Sequence, residues 1–306
     1  MAMTPDHRPT RDASRLDVGV ISAGRVGSVL GAALSTAGHR VIATTAVSRA
    51  SRDRAARFIP DAAILPADEV AHAASLLLLA VPDDEIADLV RGLASGGHLR
   101  AGQLIAHVSG GHGADVLAPA AELGAATMAI HPAMTFTGRT EDVDRLSGVT
   151  FAVTAAEEFR PIAAALVIEM GGEPEFVDEA KRPLYHAALC HGANHLNTLI
   201  GDAIDQLAAA GVENPQRMIA PLLSAALDNA LRLGDAALTG PVARGDAGTV
   251  SAHLRALRDD APDTVAPYIA MARRTADRAI DSGRLPADTA EPLLGALAHR
   301  VRGGNR

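Results

Sequence analysis

After Pro183 the chain places His186, Cys190, Asn194 and Thr198 at intervals of four, with His191 and Asn197 beside them. Residues four apart share one inclined row of a helix. Ala187, Ala188, Leu189, Ala193, Leu196, Leu199 and Ile200 surround that row, so a helix is expected over residues 183–210, largely buried. Buried polar groups need partners. A row of them either lines a site or bonds to nearby backbone or to a second copy of the chain. Lys181 stands at the mouth of this helix, as a solubilising charge or as a cation facing the row. Farther on, Thr239-Gly240-Pro241-Val242-Ala243-Arg244-Gly245-Asp246 reads as an irregular loop. Arg244, flanked by small residues, has the planar fork that clamps a carboxylate bidentately, or is a plain loop cation. Asp246 or Thr249 reads as the cap of the helix that follows.

A second constellation lies near the N-terminus. Val18, Val20 and Ile21 form a β-branched run, as expected for a strand covered on both faces. Ser22-Ala23-Gly24-Arg25-Val26-Gly27 follows, then a segment of helical composition. This is the dinucleotide fingerprint G-x-G-x-x-G with Ser22 in place of its first glycine. The first small residue makes the turn, Gly24 lets backbone N–H groups approach a pyrophosphate, and Gly27 lets the helix sit close on the strand. An NAD site places an acid about 20 residues past the glycines to hold the ribose hydroxyls. Residues 41–50 contain no acid, and Thr44, Thr45, Ser48, Arg49, Ser51 and Arg52 cluster there instead. Hydroxyls and guanidinium groups suit a 2′-phosphate, so the expected cofactor is NADP(H); the plainer reading is a solvated helix start.

Three more apolar runs, residues 75–81, 103–108 and 127–130, end in polar or Gly/Pro breaks. The first break is Val81-Pro82-Asp83-Asp84, the second Ser109-Gly110-Gly111-His112, and the third His131-Pro132 and the residues after it. Open parallel sheets bind ligands at the carboxyl ends of their strands, which places Ser22, Val81, Pro82, Ser109 and His131 around one crevice. Asp83 and Asp84 read as caps of the helix that follows. His131 is held extended by the proline after it and reads as a structural hydrogen-bonder or as a substrate contact.

These segments imply an α/β fold: a parallel-sheet domain over residues 16–155, then an all-helical domain over residues 156–306 for substrate and dimerisation. Residues 1–15 read as a loose polar tail. Of 306 residues 48% are hydrophobic but only 2% aromatic, with no Trp, so the cores must rest on Ala, Leu, Val and Ile. A net charge of −8 with so few aromatics argues against a nucleic-acid surface. One cysteine, Cys190, leaves no internal disulfide and fits a reducing cytoplasm. The longest apolar run, residues 73–82, is too short to span a bilayer. No metal-ligand set is read in the sequence.

From Leu16 to about Leu257 the chain resembles the Rossmann-like proteins with a C-terminal domain of formerly unknown function (DUF2520), relatives of the 6-phosphogluconate and β-hydroxyacid dehydrogenase superfamily. The motifs that carry the resemblance are Val20 to Gly27, His107-Val108-Ser109-Gly110, His131-Pro132, Lys181 with Tyr185-His186-Ala187-Ala188 leading to Asn194, and Leu238 to Asp246. Some members are similar to an alternative type of ketopantoate reductase. The resemblance implies a Rossmann-type domain and an NADPH-dependent reductase, with Lys181 and Asn194 as counterparts of the superfamily's catalytic pair. That pair stands thirteen apart here, where the superfamily often has four, which leaves His186 or Tyr185 as alternative proton donors. The expected reaction is reduction of a small 2-oxo acid, ketopantoate first, with the substrate carboxylate held by Arg244 among Thr239 and His131. The alternatives are another carbonyl or an imine, or an NADP-binding sensor or scaffold without turnover. A homodimer through the helical domain is expected in each case.

Overall fold

The computed structural model describes residues 15–298; the tail expected over residues 1–15 lies outside them except for Arg15. The chain divides into two compact units, with the division between Gly192 and Ala193.

In the first unit strands and helices alternate through β1 (Asp17–Ile21), α1 (Arg25–Thr36), β2 (Arg40–Thr44), α2 (Arg49–Phe58), β3 (Ala63–Ile64), α3 (Ala67–Ala73), β4 (Leu76–Leu79), α4 (Asp83–Ser95) and β5 (Leu104–His107). The chain continues through α5 (Ala118–Ala121), β6 (Ala126–Pro132), α6 (Glu141–Asp144), β7 (Thr150–Ala155), α7 (Arg160–Glu169), β8 (Glu173–Phe176) and α8 (Arg182–Leu189). All eight strands form one sheet in the order β3-β2-β1-β4-β5-β6-β7-β8. Only the β6–β7 pair is antiparallel among them. The four leucines of β4 are all buried, because alternate side chains face opposite layers. Leu76 and Leu78 pack with Val18, Val20, Leu30 and Phe151, whereas Leu77 and Leu79 pack with Val70, Ile86 and Ile105. The strand order reverses between β1 and β4, which opens a crevice at their carboxyl ends.

Several expectations are corrected here. The stretch expected to be all-helical from residue 156 is not: α7 and β8 add an eighth strand, parallel to β7. Glu173, Glu175 and Phe176 of β8 are exposed, which is why its sequence carries no apolar run. Neither Asp83 nor Asp84 caps α4 with its side chain; Pro82 occupies the cap position and both acids fall in the first turn. The continuous helix over residues 183–210 is two helices, separated by a π-helical turn, Cys190–Asn194, in which Gly192 lowers helix propensity.

The second unit is helical: α9 (His195–Ala209), α10 (Pro215–Leu233), α11 (Gly240–Ala243), α12 (Ala247–Asp260), α13 (Val265–Asp281) and α14 (Ala287–Ala298). The segment holding Arg244 is therefore not wholly irregular, since α11 forms within it. Asp246 caps α12 through its carboxylate, which accepts from Thr249 N at 2.9 Å. The core lies among α12, α13 and α14, around Val250, Leu254, Ile269, Ala276 and Leu293. Against the expectation of a buried helix, α9 contains no buried residue, and α10 buries only Pro215. Among the described residues, no helix is long and apolar enough to cross a membrane.

Candidate active site

Ser22 turns the chain from β1 into α1 with φ of 80°, the one non-glycine described residue in the left-handed region. Its N–H donates to Thr45 Oγ1 at 2.7 Å, and Ala23 N donates to Thr45 O at 2.8 Å, so the end of β2 holds the turn. A Cβ on Gly27 would stand 2.2 Å from Ser22 O and 2.9 Å from Ala80 Cβ, so α1 is pressed on the sheet as closely as the fingerprint demands. Gly24 caps α1 with no side chain of its own in the way, leaving the first-turn N–H groups of Arg25, Val26 and Gly27 as anion donors.

Ser48 caps α2 and accepts from Ser51 N at 3.1 Å. Arg49 is exposed, and Arg52 donates through Nε to Ala46 O at 3.3 Å. Ser48, Arg49 and Arg52 thus converge at one helix N-terminus. Thr44 does not belong with them: it is fully buried and its hydroxyl donates to Val20 O. The turn, the open N-terminus of α1 and the acid-free corner together fit an NADP pyrophosphate and 2′-phosphate.

At the carboxyl ends of β5 and β6 the structure assembles a cluster of imidazoles. His107 is fully buried; its Nε2 lies 2.7 Å from Gly113 O and its Nδ1 accepts from Ser109 N at 3.1 Å. Burial pulls its pKa down to about 4, with Arg182 adding to the effect and the Gly113 bond opposing it. Ser109 Oγ accepts from the N–H groups of Gly111 and His112, both at 3.2 Å, and so shapes the loop after β5. His131 Nδ1 lies 2.8 Å from the Tyr185 hydroxyl, with the two rings edge to face. The His131 pKa also falls to about 4, from burial first and then from Arg182 and His186. His186 stands edge-on to His131, 6.1 Å between ring centres, and its Nε2 is 3.6 Å from Cys190 Sγ. Gly110 makes this crowding feasible, because a Cβ there would lie 2.8 Å from the His186 ring and 2.9 Å from His131 Nε2. Asp83 faces the same loop, its Oδ2 being 3.6 Å from where a Gly111 Cβ would stand.

Beneath the cluster lies Arg182, fully buried. Its Nε donates to Thr154 Oγ1 at 2.8 Å and its Nη2 to Ala152 O at 2.9 Å and Ala129 O at 3.2 Å. Nη1 reaches Ser109 O at 3.4 Å, and the guanidinium carbon is 5.7 Å from the centre of the Tyr185 ring. The Tyr185 hydroxyl is pushed up in pKa by burial, with Arg182 opposing the shift.

The candidate residues thus fall in two groups. The first unit brings His131, Tyr185 and His186 together, with Ser109 and the Val81-Pro82 break at neighbouring strand ends. Lys181 is exposed at the N-terminus of α8. Asn194, Thr239 and Arg244 belong to the second unit, where Thr239 and Arg244 share a cavity of about 630 Å³ with Arg284. Arg182 and Arg284 carry no signal in the sequence. Each reads as a surface charge among polar neighbours, and only tertiary structure buries the one and places the other beside Arg244.

Family models match a Rossmann-like domain over residues 2–132 and a domain of unknown function, DUF2520, over residues 149–275. No curated protein matches the chain. Among solved structures, a Bacteroides fragilis protein described provisionally as an NADP oxidoreductase is 22% identical at a TM-score of 0.69, over 86% of this chain and 98% of that one. An imine reductase from Pseudomonas sp. is 19% identical at 0.62, over 93% and 100%. A reductive aminase from Aspergillus terreus, solved with NADPH and ethyl levulinate, is 17% identical at 0.62, over 92% and 99%. At these identities the likeness is one of fold. Residues 2–132 are thus similar to the Rossmann-like domain and residues 149–275 to the DUF2520 domain.

Proposed function

We propose that the protein is an NADPH-dependent reductase of a small 2-oxo acid, with ketopantoate as the first substrate to try and pantoate as its product. The observation that carries this reading is the Tyr185–His131 pair at the strand ends of a sheet whose first turn is built for a dinucleotide. NADPH, when bound, supplies the hydride that reduces a carbonyl carbon. The α1 N-terminus with Ser22, Gly24, Arg25, Val26 and Gly27 would hold its pyrophosphate; Ser48, Arg49 and Arg52 would hold the 2′-phosphate. Val81, Pro82 and Ser109 would flank the rest of the cofactor. As negative charge builds on the substrate oxygen, a donor must meet it. Tyr185 supplies its phenolic proton, and His131, neutral at pH 7, donates Nδ1–H to the phenolate left behind. His186 bounds the cluster opposite. Lys181 and Asn194, counterparts of the superfamily pair, are the competing assignment; exposure of Lys181 favours Tyr185. Within the helical unit, Thr239 and Arg244 share a cavity with Arg284, and its guanidinium groups suit a carboxylate.

The second reading is reduction of an imine, favoured by the two structural neighbours described as an imine reductase and a reductive aminase. A homodimer is supported by the bare apolar face of α10, where Met218, Leu222 and Leu231 are 58%, 68% and 79% exposed. Sedimentation reads the oligomeric state directly. The deciding experiment is NADPH oxidation by the purified protein with ketopantoate, other 2-oxo acids and cyclic imines. Saturable turnover on ketopantoate supports the first reading and turnover on imines alone the second. Tight NADPH binding without turnover on any of them turns the assignment to a sensor or scaffold.

A further inference from the structure

Arg182 is a buried cation without a buried anion. Burying a charge is costly unless it is paired. Its four hydrogen-bond partners, Thr154 Oγ1 and the carbonyls of Ser109, Ala129 and Ala152, are all neutral. Among the described residues, no carboxylate oxygen comes within 4 Å of it. If its task were only to rivet α8 to β6 and β7, a neutral donor would serve with a smaller desolvation cost. What a guanidinium adds is a fixed positive charge, and that charge faces the ring of Tyr185.

We infer that the buried guanidinium of Arg182, held by neutral oxygens alone, is a positioning residue that steadies the negative charge left on the Tyr185 oxygen when its proton departs. The step moves one proton, from Tyr185 Oη to the substrate oxygen, as the carbonyl carbon gains its hydride. The phenolate then sits between the His131 Nδ1–H and the field of Arg182. In a water-poor site such a field is worth far more than at a surface. Other charged or titratable groups act on the cluster too: Asp83 on α4, His107 on β5, His112 in the loop after it, and Glu179 and His186 along the chain around α8. Arg182 is the one that is wholly buried and permanently charged. This inference rests on Tyr185 being the donor, so its test includes a readout that does not depend on turnover.

Two variants separate charge from rivet. Arg182→Gln removes the charge and some donors. Thr154→Asp leaves Arg182 in place and gives it a carboxylate, neutralising its field while retaining an acceptor for Nε. The phenolate absorbance of Tyr185 is read in NADPH-free protein, with Tyr185→Phe subtracted. The chain holds two tyrosines and no tryptophan, so the signal is clean. Both variants should lower the Tyr185 ionisation constant by roughly tenfold or more, about one pKa unit. Thr154→Asp should lower kcat by a similar factor with NADPH affinity within about twofold. If Arg182→Gln does not fold, Thr154→Asp alone decides. A folded Thr154→Asp protein with an unchanged Tyr185 titration overturns the inference. A shifted titration in a protein that reduces neither carbonyls nor imines upholds the electrostatic role and overturns the reductase reading instead.

Discussion

Tyr185 and His131 come from segments 54 residues apart, yet the Tyr185 hydroxyl rests 2.8 Å from His131 Nδ1. His131 stays extended because Pro132 follows it in β6, and Tyr185 lies in the second turn of α8, two positions after Pro183. Two prolines therefore fix the backbones from which the pair projects. Tyr185→Phe keeps the ring and deletes the proton. It should reduce kcat by roughly a hundredfold or more while leaving the NADPH dissociation constant within about twofold. Lys181→Ala should cost only a few-fold in steady-state turnover. The reverse ranking would move the donor to Lys181.

The corner between β2 and α2 sets the choice of cofactor. Arg49→Ala removes an exposed guanidinium from a helix start that also carries Ser48 and Arg52. A charge-assisted hydrogen bond is worth about 1.5–3 kcal/mol, so NADPH affinity should fall by roughly tenfold to a hundredfold. NADH, lacking the 2′-phosphate, should bind with nearly unchanged affinity. Fluorescence titration with both cofactors checks this, and equal losses would place the phosphate elsewhere.

At the β1–α1 turn, two substitutions should act in opposite directions. Ser22 is held at φ of 80°, where a side chain costs about 1–2 kcal/mol. Ser22→Gly relieves that strain but loosens the unfolded chain, for a net gain of about 0.5–1 kcal/mol. Gly27→Ala instead drives a Cβ to 2.2 Å from a backbone carbonyl that no rotamer can move. It should destabilise the sheet unit by about 3 kcal/mol and weaken dinucleotide binding as α1 lifts from β1. Urea unfolding of both variants tests the pair of signs.

How much of this was legible beforehand follows from the range of each interaction. The β1 run, the Ser22 to Gly27 turn and the acid-free end of β2 are local, and each reads from its own few residues. Leu76–Leu79 announces a buried strand by composition alone. The eighth strand did not announce itself, because Glu173, Glu175 and Phe176 lie on an exposed edge. Periodicity also merged α8 and α9 into one helix: a π-helical turn shifts the register without altering composition. It likewise made α9 look buried, because apolar spacing shows that a face exists and is silent on what covers it. Arg182 was opaque for the opposite reason. Four oxygens from β7, the middle of β6 and the loop after β5 surround it, and none is near it in sequence.

The buried imidazole of His107 links stability to pH. Its pKa falls from 6.5 to about 4 in the fold, mainly through burial. Above pH 6.5 both folded and unfolded chains carry the ring neutral, and the stability that this neutral ring allows is fully present. Between pH 6.5 and 4 the unfolded chain binds a proton that the folded chain refuses, so stability falls as pH falls. A shift of this size amounts to about 3 kcal/mol for the one residue. His107→Asn removes the titration, at the cost of a less well-filled pocket under Gly113. Its unfolding free energy should be lower at pH 7 and should decline less steeply than the parent's between pH 6.5 and 4. Parallel acid limbs in the two proteins would show that the ring is already protonated in the fold, and that the Gly113 carbonyl outweighs burial.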